Sequence, residues 1–287
     1  MRDLAPQPSR PTTNWSIGLM RAPDIAGFAT AATPSRPIIS EHDLTALGGV
    51  MAADPFAIKV DGVWQVFFEM VTRHAPDGVI ATACSRDLIT WEPQGTVLDT
   101  GSHLLYPFVF EHQGGIFMMP ESKRTREIAI YEATAFPRRW KHVRTIIRGR
   151  YFDASLVHYD NRFWLFAGCL SYGLRVFHAA HPLGPWRPHA WPFLRCYAPA
   201  AARPGGRPIV EEGRLIRFAQ DNQSHYGHQL RAWHVTRLSP FWFAETPLLA
   251  SPLLRPAGHG WNGRCMHHID PHPLPEGGFV AFVDGCP

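Results

Sequence analysis

Lysine is scarce in this chain. It occurs only at Lys59, Lys123 and Lys141, so arginine carries most of the cationic half of a formal net charge of +4. Such a bias follows codon usage before it signals a phosphate-rich partner. No basic-aromatic strip of the kind that tracks nucleic acid accompanies it, and none is expected as a partner. No segment approaches the roughly twenty apolar residues of a membrane span, and the opening MRDLAPQPSRPTTNWSIGLMRAP lacks the apolar core of a secretory signal. The expectation is a cytoplasmic protein without a membrane span. The five cysteines, Cys84, Cys169, Cys196, Cys265 and Cys286, are odd in number, far apart and without a CxxC pair, so reduced thiols are expected. Sustained helical periodicity, a Gly-rich phosphate loop, a dinucleotide fingerprint and a GxSxG elbow are all missing. No cofactor is implied.

Turns and short apolar runs are plentiful, with 27 prolines, 24 glycines and 12% aromatic residues. One pattern recurs five times: a short apolar run, a Gly or Asn turn, and a second apolar run. The copies begin at Asp54 (DPFAIKVDGVWQVFFE), Tyr106 (YPFVFEHQGGIFMMPE), Asp153 (DASLVHYDNRFWLFAG), Arg207 (RPIVEEGRLIRFAQD) and Asp270 (DPHPLPEGGFVAFVD). Their starts lie 52, 47, 54 and 63 residues apart, about one propeller blade each. The fold expected is therefore all-β, a five-bladed β-propeller in which residues 14–287 form one domain and residues 1–13 a disordered tail.

Each copy is a hairpin around Asp61-Gly62, Gly114-Gly115, Asp160-Asn161, Gly213 or Gly277-Gly278. A second hairpin follows in the first four, with Trp91, Trp140, Trp186 and Trp242 at matching places, expected as core rings between sheets. The fifth copy ends after two strands. The run WSIGLMR, Trp15 to Arg21, is the natural strand to close the ring on that last blade, giving five four-stranded blades. Residues 22–50 are expected to be an irregular connection.

First strands of propeller blades line the central channel, so the residues that open the copies converge at one end of the axis. Asp54, Asp153 and Asp270 are thereby brought together, and clustered carboxylates shift one another's pKa values toward an acid and a base. An Asp before Pro also caps turns, but Tyr106 and Arg207 at the same repeat position show that the fold does not demand Asp there. The second strands end on Glu69, Glu121, Asp221 and Asp284, with Gly168 in the third copy. An acid ending an apolar strand is costly unless exposed or paired. Arg203 and Arg207 flank the fourth copy and suit an anionic substrate group. In the fifth, His267 and His268 add hydrogen-bonding groups, and His268, Asp270 and His272 fall on one strand face at a metal-like spacing that Pro271 and Pro273 distort. Hydrogen bonding to a sugar is the reading taken, with no metal. Asp221, Asn222, Tyr226 and His228 could read hydroxyl groups, while Trp64, Tyr106 and Tyr172 offer apolar faces.

At these positions the chain resembles the five-bladed propeller glycoside hydrolases: arabinanases, β-xylosidases, invertases and levansucrases. The resemblance implies that Asp54 in ADPF is a base or nucleophile and that Asp153 in FDAS tunes its pKa. Their blade-four glutamate does not carry over, because Arg203 to Arg207 stand there. The runs YPFVFEHQGGIFMMPES, IYEATAFPRRW, GPW, RPGG, AQD followed by YGHQL, and HHID, from Trp15 to Gly285, are similar to the N-terminal propeller domain of plant glucosamine inositolphosphorylceramide transferases. That domain also occurs in bacterial proteins of surface polysaccharide and glycolipid biosynthesis. The implied activity is glycosyl transfer in glycan or glycolipid assembly, with Asp54, Glu121 and Asp153 catalytic and Glu121 the proton donor. Glu69, Tyr106, Arg203, Asp221, Tyr226, His267, His268 and Asp270 would bind substrate. Expected partners are a nucleotide sugar, lipid-linked sugar or glycoside, and glycan assembly enzymes. Hydrolysis and non-catalytic glycan binding are the alternatives.

Overall fold

The computed structural model describes residues 14–73, 77–170, 173–192, 194, 198–249 and 252–287. The expected N-terminal tail, Tyr172 and Cys196 lie outside them. Nineteen described strands form five antiparallel sheets. A closing strand β1 (Ser16–Ala22) precedes blade one, which holds β2 (Gly49–Val60), β3 (Val63–Thr72), β4 (Val79–Ser85) and β5 (Glu92–Leu98). Blade two holds β6 (Leu104–His112), β7 (Gly115–Ser122), β8 (Glu127–Ala135) and β9 (Arg139–Arg148). Blade three holds β10 (Phe152–Tyr159), β11 (Arg162–Cys169), β12 (Gly173–Ala179) and the two-residue β13 (Arg187–Pro188). Blade four holds β14 (Ile209–Glu211), β15 (Arg214–Asp221), β16 (Gln229–Leu238) and β17 (Phe243–Pro247), and blade five β18 (Ile269–Pro273) and β19 (Phe279–Gly285). The five sheets form the five-bladed propeller expected from the repeat.

The first hairpins are tight because their central residues accept positive φ. Asp61 and Gly62 (φ 49° and 79°), Gln113 and Gly114 (49° and 78°), Asp160 and Asn161 (51° and 56°) and Glu212 and Gly213 (48° and 77°) all do so, as a two-residue turn that follows the strand twist requires. The blade-two turn is thus one residue earlier than the Gly114-Gly115 pair suggested.

The ring closes through β1, which pairs antiparallel with β19 over seven positions from Ser16–Gly285 to Ala22–Phe279. Blade five is the three-stranded sheet β1-β19-β18 rather than a four-stranded one. A single bridge from Ile17 to Ile39 stands where a fourth strand would run. Residues 22–50 are also more ordered than expected, with a short helix at Glu41–Leu44 and two 3-10 turns.

Large rings fill the spaces between blades. Phe56, Phe67, Tyr106 and Phe108 are buried between blades one and two, and Phe282 and Val280 of β19 pack against Trp64 and Phe68 of blade one. Trp140 packs edge-on to Phe67, and Trp91 to Phe282, as expected of core tryptophans. Trp242 does not: it is 50% exposed at the end of the β16–β17 turn.

Inside the channel, Arg207 Nε donates to Asp270 Oδ1 at 2.5 Å, and its Nη2 donates to the carbonyls of Val109 and Ala57 at 2.9 and 3.3 Å. Asp270 also receives the Ala57 N–H at 2.6 Å and pairs with His272 Nε2 at 2.8 Å. Four of the five blades meet in this knot. Its charge is compensated, and although burial opposes it, Arg207 and His272 hold the Asp270 carboxyl down at about 2.

Candidate functional site

Three blade openings share one backbone device. Asp54, Tyr106 and Asp153 sit at φ 54°, 50° and 51°, each at a break in strand register. Such bulges re-aim side chains next to functional sites, and left-handed φ is unusual for a residue with a side chain, aspartate tolerating it better than most. What the bulge presents differs by blade. Tyr106 is fully buried, its hydroxyl 2.8 Å from Ser155 Oγ and accepting the Gly206 N–H at 2.7 Å. It ties blades two, three and four together and offers no face to a ligand, contrary to the sequence expectation.

Asp153 lies near enough to Asp54 for its charge to reinforce the rise of the Asp54 carboxyl. Asp54 is 4% exposed, with His268 Nδ1 3.7 Å and His267 Nε2 3.9 Å from its Oδ1. Burial pushes its carboxyl well above the usual range; His267 opposes this, while Asp284, Asp153 and Glu69 reinforce it. Asp153 is held differently. Its Oδ2 accepts from Arg203 Nε and, at 2.9 Å, from Gln220 Nε2, and its Oδ1 accepts from Arg203 Nη2 at 3.3 Å. Both carboxylate oxygens are therefore occupied.

The acids that end second strands knit neighbouring blades by accepting the N–H of the next bulge. Asp284 Oδ2 accepts from Asp54 N at 3.1 Å, and Glu121 Oε2 from Asp153 N at 2.8 Å. Gly168 leaves room in the third copy, and the Arg203 stem lies 3.5 Å from where its Cβ would stand. Burial, then the Asp153 charge, raise the Glu121 carboxyl to about 8 against the pull of Arg203. Glu69 instead meets His103 Nε2 at 2.6 Å, with Lys123 Nζ 3.1 Å from the same nitrogen.

Blade five contributes a histidine pair with opposite properties. His267 Nδ1 lies 2.8 Å from Asp284 Oδ1, and its ring stacks on Trp15 with centroids 4.2 Å apart. Burial alone would lower this imidazole, but the charge and hydrogen bond of Asp284 together with the Asp54 charge raise it to about 9. His268 is fully buried, edge-on to Phe56 and Tyr106, with no hydrogen bond of normal geometry to either ring nitrogen. Burial lowers it to about 4, so it is neutral at pH 7. Tyr226 covers the group: it is 44% exposed, with its hydroxyl 3.4 Å from His267 Nε2 and the Arg203 guanidinium 5.1 Å from its ring centroid.

Two expected members stand apart. Asp221 follows Gln220 on β15, so strand alternation turns it away from Asp153, and it pairs with Arg231 Nε at 2.7 Å and Gln229 Nε2 at 2.9 Å. Asp270 belongs to the channel knot, its carboxylate taken by Arg207 and His272. The spacing His268, Asp270, His272 accordingly makes no metal set. Among the described residues the donors that do gather are Asp54, His267 and Asp284, with ligand atoms all within 4.8 Å. Of these, His267 Nδ1 and Asp284 Oδ1 already satisfy one another. Gln220 and His103 were missed in the sequence. Gln220 precedes a repeat acid and was masked by it, and His103 lies in a loop with no pattern to mark it.

Residues 23–286 match the model of the glucosamine inositolphosphorylceramide transferase 1 N-terminal family. Over 243 residues, 81% of this chain, it is 37% identical to glucosamine inositolphosphorylceramide transferase 1 of Oryza sativa subsp. japonica and 35% identical to that of Arabidopsis thaliana. The match spans about a third of those proteins, 33% and 32% of their lengths. Among solved structures, an exo-1,5-α-L-arabinanase from a bovine ruminal metagenomic library superposes with a TM-score of 0.58 at 14% identity, covering 83% of this chain and 93% of that one. A β-xylosidase superposes with a TM-score of 0.62 at 11% identity, covering 75% and 79%. At such identities these likenesses speak to the fold.

Proposed function

The chain belongs to the glucosamine inositolphosphorylceramide transferase 1 N-terminal family, and from that membership we propose that its propeller is carbohydrate-active, transferring a glycosyl group at the Asp54 end of the channel. The observation that carries the reading is that Asp153 stands next to both candidate carboxyls: its N–H donates to the half-buried Glu121 at 2.8 Å and its charge acts on the buried Asp54, while desolvation raises both carboxyls. Departure of a sugar through an oxocarbenium-like transition state needs a proton donor and a base or nucleophile. Glu121, at about 8, keeps its proton at neutral pH and serves as the donor. Asp54 serves as base or nucleophile in the fraction of molecules in which it is ionised. Asp153 has both oxygens engaged by Arg203 and Gln220, so its role is to fix Arg203 and the Glu121 charge balance. Arg203, Tyr226 and His267 bind the substrate's hydroxyl or anionic groups, Glu69 and His103 line the wall, and no step requires a metal.

A second reading, a non-catalytic glycan-binding propeller, is favoured by one observation: Arg203 occupies the blade-four opening and consumes Asp153. Purified protein incubated with nucleotide sugars, lipid-linked sugars and glycosides, with and without acceptor, separates the cases. Acceptor-dependent product supports transfer, and release to water in its absence supports hydrolysis. Saturable binding with no product under any condition sinks the catalytic proposal and leaves the binding module.

A further inference from the structure

Away from the channel, the outer edges of blades three and four carry a patch of exposed aromatic side chains. Phe241 is 66% exposed, Trp242 50% and Trp191 51%. They are not scattered, since the Trp191 and Trp242 ring centroids lie 5.9 Å apart. Nor is the loop that bears them loose. Ser239 N donates to the Trp242 carbonyl at 2.8 Å, Ser239 Oγ accepts from the N–H groups of Phe241 and Trp242 at 3.3 and 3.0 Å, and Ala190 N donates to the Pro240 carbonyl at 2.9 Å. Exposing three large rings on preformed turns costs solvation that nothing in the packing of the propeller recovers.

The charge around the patch is of one sign. The sequence has no Asp or Glu from residue 161 to 210 and none from 222 to 244. The next acid, Glu245 on β17, is buried against Arg217 at 2.7 Å. Two exposed arginines remain on these edges: Arg187 on β13, and Arg237 on β16 with its guanidinium 4.7 Å from the Trp242 ring centroid. Exposed aromatic rings beside exposed guanidinium groups are the chemistry a bilayer surface takes, where indoles sit at the headgroup level and cations meet lipid phosphates. Phe241, with no polar atom at the apex, gains from the acyl boundary rather than from water.

We propose that this edge is a peripheral docking surface for an anionic lipid bilayer, with Phe241, Trp242 and Trp191 entering the headgroup–acyl boundary and Arg187 and Arg237 binding lipid phosphate. It stands independently of the reaction proposed for the channel, whose residues it does not share.

Flotation of the full chain with vesicles tests it, using phosphatidylcholine alone and phosphatidylcholine mixed with phosphatidylserine. The protein floats with the mixed vesicles, less so at high salt. The pair Phe241→Ser and Trp242→Ser lowers the bound fraction about tenfold or more, as expected for loss of two buried rings. The pair Arg187→Glu and Arg237→Glu removes the preference for anionic vesicles. Both pairs alter exposed side chains, so unchanged melting confirms that folding is intact. Failure of the wild type to float with anionic vesicles overturns the proposal, as does wild-type flotation by both double variants. Two further results do the same: a concentration-dependent dimer abolished by the same changes, or binding to a polynucleotide in place of vesicles.

Discussion

Arg203 and Asp153, fifty residues apart in sequence, meet fork to fork, the guanidinium using Nε and Nη2 on the two carboxylate oxygens. Asp153 is 1% exposed and Arg203 23% on their side chains. Removing one partner leaves the other charge in a poorly solvated place. Arg203→Met is therefore expected to lower unfolding free energy by about 3 kcal/mol, and adding Asp153→Asn to recover part of the loss because no buried charge remains unpaired. Urea denaturation of the two variants checks this. Equal stability of Arg203→Met and wild type would show the pair to be solvated and inconsequential.

Glu121 makes stability depend on pH in an uncommon direction. Its folded pKa, about 8, lies above the ordinary 4.5. Between those values the folded state binds more protons than the unfolded one, so this group's contribution falls as pH rises. Relative to wild type, Glu121→Gln should gain stability progressively from about pH 5 to 8 and no more beyond. His267 acts in an adjacent window. Raised from 6.5 to about 9, it supplies stability that is complete below 6.5 and lost as pH rises through 9. The difference between wild type and His267→Gln should shrink across that range. Melting curves at stepped pH measure both, and parallel curves for all three proteins would contradict the assignments.

Most of the architecture was legible before any coordinates because two local signals repeat. Paired turn residues at Asp61-Gly62 and Asp160-Asn161 fix hairpins, and their spacing fixes the blade count. The site was legible only where side-chain direction follows from the repeat. Asp54 and Asp153 sit on equivalent bulges, near enough for the Asp153 charge to act on Asp54, but Tyr106 on the same kind of bulge points into the protein, where its hydroxyl finds Ser155 and Gly206. Asp270 was misplaced because the blade-five residues that reach the site are His267 and His268, two to three positions earlier. Arg207 lies four residues from Arg203 in sequence, yet it pairs with Asp270 while Arg203 pairs with Asp153.

Closure by β1 rests on Ile17 and Met20, which are 0% and 3% exposed, and on the seven-position pairing with β19. Ile17→Ala should cost about 2 to 4 kcal/mol, the range for truncating a buried aliphatic side chain. Deleting residues 1–25 should do more: it bares the β19 edge and favours association through it. Thermal melting and light scattering report the two effects. A truncated protein that melts like the intact one and stays monomeric would remove β1 from the account of stability.

Turnover should depend on pH through two carboxyls, the half-buried Glu121 and the buried Asp54. Product formation requires Glu121 with its proton and Asp54 without, so kcat/KM should fall as pH rises through about 8, where Glu121 ionises. Glu121→Gln cannot ionise, so its residual activity should lose that alkaline limb while falling by about 10² or more. Asp54→Asn should lower kcat by a similar factor, with substrate affinity kept within a few-fold, because the amide preserves shape but cannot accept the proton. Binding must be measured beside rate, since Asp54 also sits on a bulge at positive φ and a distorted backbone would weaken both together. An Asp54→Asn protein that binds as wild type and turns over as wild type excludes the carboxylate from the chemistry. One that has lost binding and folding in parallel assigns Asp54 to the frame of the propeller instead.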